Sequence, residues 1–197
     1  MLEDLRRHDD DRLGALLALH ERPTQQVVDR CIALCSSEDS HERVVGLRIL
    51  RELGHPYVDG DGLWAPIEPL VVQLALSDDV AEVVRWAISC LGCQAESPTA
   101  LAAVLRRVDH DDGGVRFAVA AALPHLTSSG EPDGHVVQAL LALADDEAAD
   151  VRSYAIMGLA GDLGLAGSIE PQLRAHLADP DEQIRTYCQG VLDGDWS

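Results

Sequence analysis

The chain has 197 residues and a formal net charge of -19. Every one of its 15 basic residues is arginine, and aromatics make up only 4% against 47% hydrophobic residues overall. A core of Ala, Leu and Val is helix chemistry rather than sheet chemistry, and so acidic a chain repels phosphate, which argues against a nucleic-acid or anionic-membrane surface.

The N-terminus, MLEDLRRHDDD, is acidic and has no apolar run of signal-peptide type. No apolar stretch approaches the ~20 residues needed to cross a membrane. The five cysteines follow no disulfide-scaffold spacing, so the expectation is a cytoplasmic protein with free thiols.

From there the chain restarts repeatedly. DRLGALLAL (11–19), GVRFAVAAAL (114–123), DVRSYAIMGL (150–159) and QIRTYCQGVL (183–192) share one nine-residue frame. Its ninth position reads Leu19, Leu50, Leu91, Leu123, Leu159 and Leu192. Its second reads Arg12, Arg43, Val84, Arg116, Arg152 and Arg185, and its fifth and eighth are mostly small. The period, about 35 residues, is that of a solenoid of supersecondary units. Positions 1, 5, 8 and 9 share one helical face, and small residues there let another helix approach closely.

A second apolar helix follows each frame, at roughly 24–35, 66–76, 98–108, 135–144 and 169–178, with Pro23, Pro66, Pro98, Pro132 and Pro171 at or near the starts. These second helices are expected to line the concave face. Their polar residues there are Gln26, Asp29, Arg30, Glu68, Gln73, Arg106, His135, Gln138, Glu170 and Arg174.

The segments DVRSYAIMGLAG and DPDEQIRTYCQGVL resemble HEAT repeats of the short bacterial type found in phycobilin lyases and many scaffolds. The resemblance spans nearly the whole chain. It implies an all-α, right-handed α-solenoid of about five and a half hairpins in one domain, with units near 9–38, 39–77, 78–109, 110–145 and 146–179 and a half unit at 180–192. It also implies a ladder between repeats in which Arg12, Arg43, Arg116, Arg152 and Arg185 pair with turn acids such as Asp111, Asp146 and Asp181. The third unit departs from the pattern, with Val84 in the arginine slot and Arg85 one residue late.

No motif carries recognisable catalytic chemistry. His41–Glu42 is a single pair, where the iron-binding HEAT-repeat hydroxylases use several. Cys90 and Cys93 form a lone C-x-x-C outside any strand context, and Cys31 and Cys35 sit one turn apart on an apolar helix; all read as packing. DGDG at 59–62 begins like a calcium loop, but Leu63 and Leu70 fall where side-chain oxygens are required. The expectation is a non-enzymatic scaffold with no cofactor and no metal.

Two features suit a protein partner. The turns before the frames are acid-rich and offer Asp109, Asp112, Asp145 and Asp146 to a basic surface, although Asp also serves there as a helix cap. The segment 54–66 is about ten residues longer than its counterparts in the other units, and carries Tyr57, Asp59, Asp61 and Trp64. The partner expected is therefore a basic protein, a toxin blocked by an immunity protein being one concrete form. A bilin lyase or isomerase subunit is the alternative, and a DNA glycosylase a weaker one that the charge opposes. Trp196 is read as folding back over the last unit, which favours a monomer.

Overall fold

The computed structural model describes residues 24–53, 64–93, 97–127 and 131–195. Among them are ten helices and no strand: α1 (Gln25–Cys35), α2 (Ser40–Leu53), α3 (Glu68–Ser77), α4 (Ala81–Gly92), α5 (Pro98–Leu105), α6 (Gly113–Ala122), α7 (Gly134–Leu143), α8 (Ala149–Met157), α9 (Glu170–Ala175) and α10 (Glu182–Asp193). The even-numbered helices are the arginine frames and the odd-numbered ones the apolar helices between them, which gives the all-α solenoid that the repeat implies.

The helix starts are chemically marked. Thr24, Ser97, Asp112 and Asp181 each accept a hydrogen bond from a backbone N–H two or three residues on, which satisfies donors the helix itself cannot. Pro98 and Pro171 stand in the first turns of α5 and α9. In α3 that place belongs to Pro69 rather than Pro66, because a turn from Trp64 to Ile67 precedes the helix.

The frame positions form the core. Gly46, Ala87, Val119, Ala155 and Cys188 at the fifth position are buried, as are Ile49, Cys90, Ala122, Gly158 and Val191 at the eighth. The thiols follow from this packing. Burial pushes Cys31 and Cys35 up to about 12 and Cys90 well above the usual thiol range. They stay protonated at neutral pH and act as small apolar groups.

The two rows of helices are unequal. α2 packs on α4, α4 on α6 and α6 on α8 extensively and α8 on α10 more sparingly, whereas α1, α3, α5 and α7 touch their successors less than the first three of these pairs do. The close approach has a steric basis: a Cβ on Gly92 of α4 would lie 2.6 Å from the Cβ of Ala122 in α6. In a curved two-row array the more closely spaced row lies on the inside. The arginine helices therefore line the concave face, not the second helices as the sequence suggested.

Candidate functional site

The turns before the even helices repeat one arrangement. Arg43, Arg116, Arg152 and Arg185 each aim Nη1 back at two carbonyls of their own turn, six and five residues earlier, at 2.7–3.0 Å. That pose leaves the Nε–Nη2 edge facing the following turn. There Arg43 meets Asp78 at 2.7 Å, Arg116 meets Asp146 at 2.6 Å and Arg152 meets Asp179 at 2.8 Å. Each of these acids also accepts the N–H two residues on, from Val80, Ala148 and Asp181. Arg152 holds Asp179 down to about 2, and Arg116 lowers Asp146. Arg185 makes the same carbonyl contacts, with no carboxylate on its remaining edge among the described residues.

The slot that takes the acid is six residues before each arginine, which explains two differences from the sequence reading. Asp181 caps α10, and its neighbour Asp179 takes the ladder position. The slot near Asp111 is filled by His110, whose Nδ1 accepts the Asp112 N–H. The preceding frame has Val84, which is buried, in the arginine position, so this rung lacks both its arginine and its acid. Arg85, one residue on, turns away to a loose pair with Glu82 at 3.8 Å.

The proposed partner-binding residues divide accordingly. Asp109, Asp112 and Asp145 are exposed. Arg116 touches both of their turns, so the turns are neighbours. Asp146 is committed to Arg116, with its side chain only 8% exposed. Trp64 is 6% exposed and belongs to the core, so it cannot form an open contact surface. Tyr57, Asp59 and Asp61, the DGDG segment, Arg12 and Trp196 lie outside the described residues. Glu42 accepts the Ser37 hydroxyl at 2.7 Å, which gives that carboxylate a place in the turn.

A different surface stands out on the arginine-helix row. A cavity of about 420 Å³ opens across α4, α6 and α8, with Arg51 of α2 at its rim. Trp86, Phe117 and Tyr154, one from each of three successive even helices, line it over a floor of small residues that includes Gly92, Ala118, Ala121 and Ala122. The Phe117 and Tyr154 rings meet edge to face with centroids 4.5 Å apart. Tyr154 in the groove, and Met157 one turn on, are more than 40% exposed, unusual for large apolar side chains among the described residues. The guanidinium groups of Arg48 and Arg85 lie 5.1 and 5.6 Å from the Trp86 ring centre.

Sequence reading missed this groove, although a signal was present. Trp86, Tyr154 and Tyr187 all occupy the fourth position of the frame, and Phe117 the third. Four of the seven aromatics thus recur on one side of the repeat, a pattern hidden by attention to the buried positions.

The comparisons agree with this architecture. Residues 67–160, from the start of α3 through α8, match the family model of HEAT repeats. No curated protein matches the chain significantly. Among solved structures, YibA of Escherichia coli is similar at 21% identity and a TM-score of 0.69, over 97% of this chain and 68% of that one. A designed armadillo repeat protein in complex with the peptide (KR)4 is similar at 17% identity and a TM-score of 0.62, over 96% of this chain and 95% of its own. An engineered protein gives 19% identity and a TM-score of 0.63, over 97% and 93%. At these identities the structures speak for the fold alone. With the stacked hairpins and the arginine–aspartate ladder in place, residues 67–160 are assigned to HEAT repeats, and the other described helices continue the same α-solenoid.

Proposed function

We propose that the chain is a non-enzymatic scaffold that seats a segment of a partner protein in the groove across α4, α6 and α8. The observation that carries this is the aromatic row Trp86–Phe117–Tyr154 over a floor of small residues on the inner helix row. Aromatic side chains beside a concave apolar floor are what interface hot spots are built from. Among the described residues no helix is long and apolar enough to cross a membrane, and no cluster of three or more His, Cys, Asp or Glu is placed to hold a metal ion. The test is capture from lysate of the source cell by the wild-type chain and by a Tyr154→Ala variant. That side chain is 43% exposed, so folding is expected to be unchanged. A discrete protein retained by the wild type and lost or weakened about tenfold or more in the variant, on the scale of a hot-spot residue, supports the groove; equal retention assigns binding to another surface.

A second reading keeps the basic partner and, more narrowly, an immunity role. It attaches to a separate surface, the turn edge with exposed Asp109, Asp112 and Asp145, and is favoured by the net charge of -19 and by the (KR)4 peptide in the designed armadillo protein of like fold. Charge reversal of those three aspartates to lysine is expected to abolish binding of (KR)4, read by fluorescence anisotropy; unchanged affinity would remove the turn edge from consideration.

A further inference from the structure

The groove differs from the rest of the molecule in the sign of its charge. The chain carries 34 acidic residues against 15 arginines, yet the twelve residues that line the groove include Arg51, Arg85 and His125 and no aspartate or glutamate. Arg48 stands over Trp86 from α2 and has no ion pair among the described residues. Arg85, over the same ring, has only the distant Glu82. Arg51 is engaged by Glu52 at 2.6 Å through one terminal nitrogen. The lining therefore carries two arginines and no carboxylate.

Two guanidinium groups near one indole repel each other. The ring face offsets part of that repulsion, and a carboxylate between the arginines would offset more. Resting on the reading of the groove as a docking surface, we infer that its occupant is a short acidic segment of a partner protein. A carboxylate of that segment sits against Arg48 and Arg85 beside Trp86. An apolar side chain next to it lies on Phe117, Tyr154 and the alanine floor. A long polyanion such as nucleic acid does not suit this site, because its remaining charges would run over a surface dense in aspartate and glutamate. A few carboxylates spaced by apolar residues avoid that cost.

The experiment uses the full chain and three blocked octapeptides that share leucines at alternate positions and differ only in the residues between: glutamate, glutamine or lysine. Binding is measured by calorimetry at about 0.15 M salt. The glutamate peptide is expected to bind about tenfold tighter than the glutamine peptide, and any binding of the lysine peptide, which the turn edge attracts, to be unchanged by Tyr154→Ala. In an Arg48→Gln, Arg85→Gln variant the glutamate peptide should fall to within about twofold of the glutamine peptide, whose own affinity should not change. That second value also reports that the variant folds. The inference is overturned if the glutamine peptide binds as tightly as the glutamate peptide, if a lysine peptide of equal affinity is weakened by Tyr154→Ala and so occupies the groove rather than the turn edge, or if the double variant keeps the preference. If all three bind equally and Tyr154→Ala weakens them alike, the groove remains a docking surface without selectivity for acids. Should none bind, both the inference and the groove reading fail.

Discussion

At the residue scale, the ladder works by position as much as by charge. Each arginine spends one terminal nitrogen on its own turn, which fixes the guanidinium so that an acid in the slot six residues before the next frame's second position completes it; Arg116 reaches Glu147 beside that slot as well. Arg152 and Asp179 show the tightest case, with side chains 10% and 3% exposed. Removing one member of so buried a pair is expected to cost about 3 kcal/mol, since the other would be left uncompensated. The gap between Val84 and His110 offers a sharper check. Val84→Arg alone puts a cation into a buried position with no acid and should destabilise the chain by about 2 kcal/mol or more. His110→Asp in the same chain supplies the acid, in a slot where Asp78, Asp146 and Asp179 accept the equivalent N–H. The pair should therefore recover at least about 1 kcal/mol over the sum of the singles, measured from urea midpoints in a double-mutant cycle. Strict additivity would mean that the repeat geometry does not carry across this unit.

At the element scale, what was legible in the sequence was which residues pack. The frame Leu91–Leu123–Leu159 and its small fifth and eighth positions located the even helices, and the apolar stretches between them located the odd helices to within three residues. What was not legible was which row curves inward, because periodicity identifies a buried face but not the side of a two-row layer to which it belongs. The deciding contact is Gly92 against Ala122, a pair separated by 30 positions whose significance appears only once α4 and α6 are side by side. The misread concave face also hid the groove, since Trp86 and Tyr154 lie on the row expected to be convex. Trp64 misled for a related reason: a rare aromatic after a long acidic segment looks like a contact, and only its burial shows it to be core. The close approach makes its own prediction. Gly92→Ala would bring a Cβ within 2.9 Å of the Ala122 Cα as well as its Cβ. Because backbone must move, the expected cost is about 1–3 kcal/mol. Ala122→Gly in the same chain removes the shorter contact and should restore part of it, read from the thermal midpoint. A neutral Gly92→Ala would show that the spacing of α4 and α6 adjusts freely.

For the whole molecule, the two candidate surfaces sit in one electric field, and salt separates them. The charge of -19 attracts a basic peptide from every direction and repels an acidic one. At about 10 mM salt the screening length is ~30 Å, comparable to the molecule, and falls to ~8 Å at about 0.15 M. A basic peptide on the turn edge therefore loses long-range attraction as salt rises, and its affinity should fall about tenfold or more over that range. An acidic peptide in the groove gains from the same screening, because the repulsion it escapes is long-range while its contacts with Arg48 and Arg85 are short and partly shielded by the Trp86 ring. Its affinity should hold within about twofold or rise between the two salt concentrations, and decline only at higher salt. Calorimetric titrations of (KR)4 and of the glutamate peptide at both concentrations decide the matter. A steep fall for both would mean that the arginines around Trp86 outweigh the charge of the whole chain even at long range, and the acids that surround the groove would then have no part in choosing what enters it.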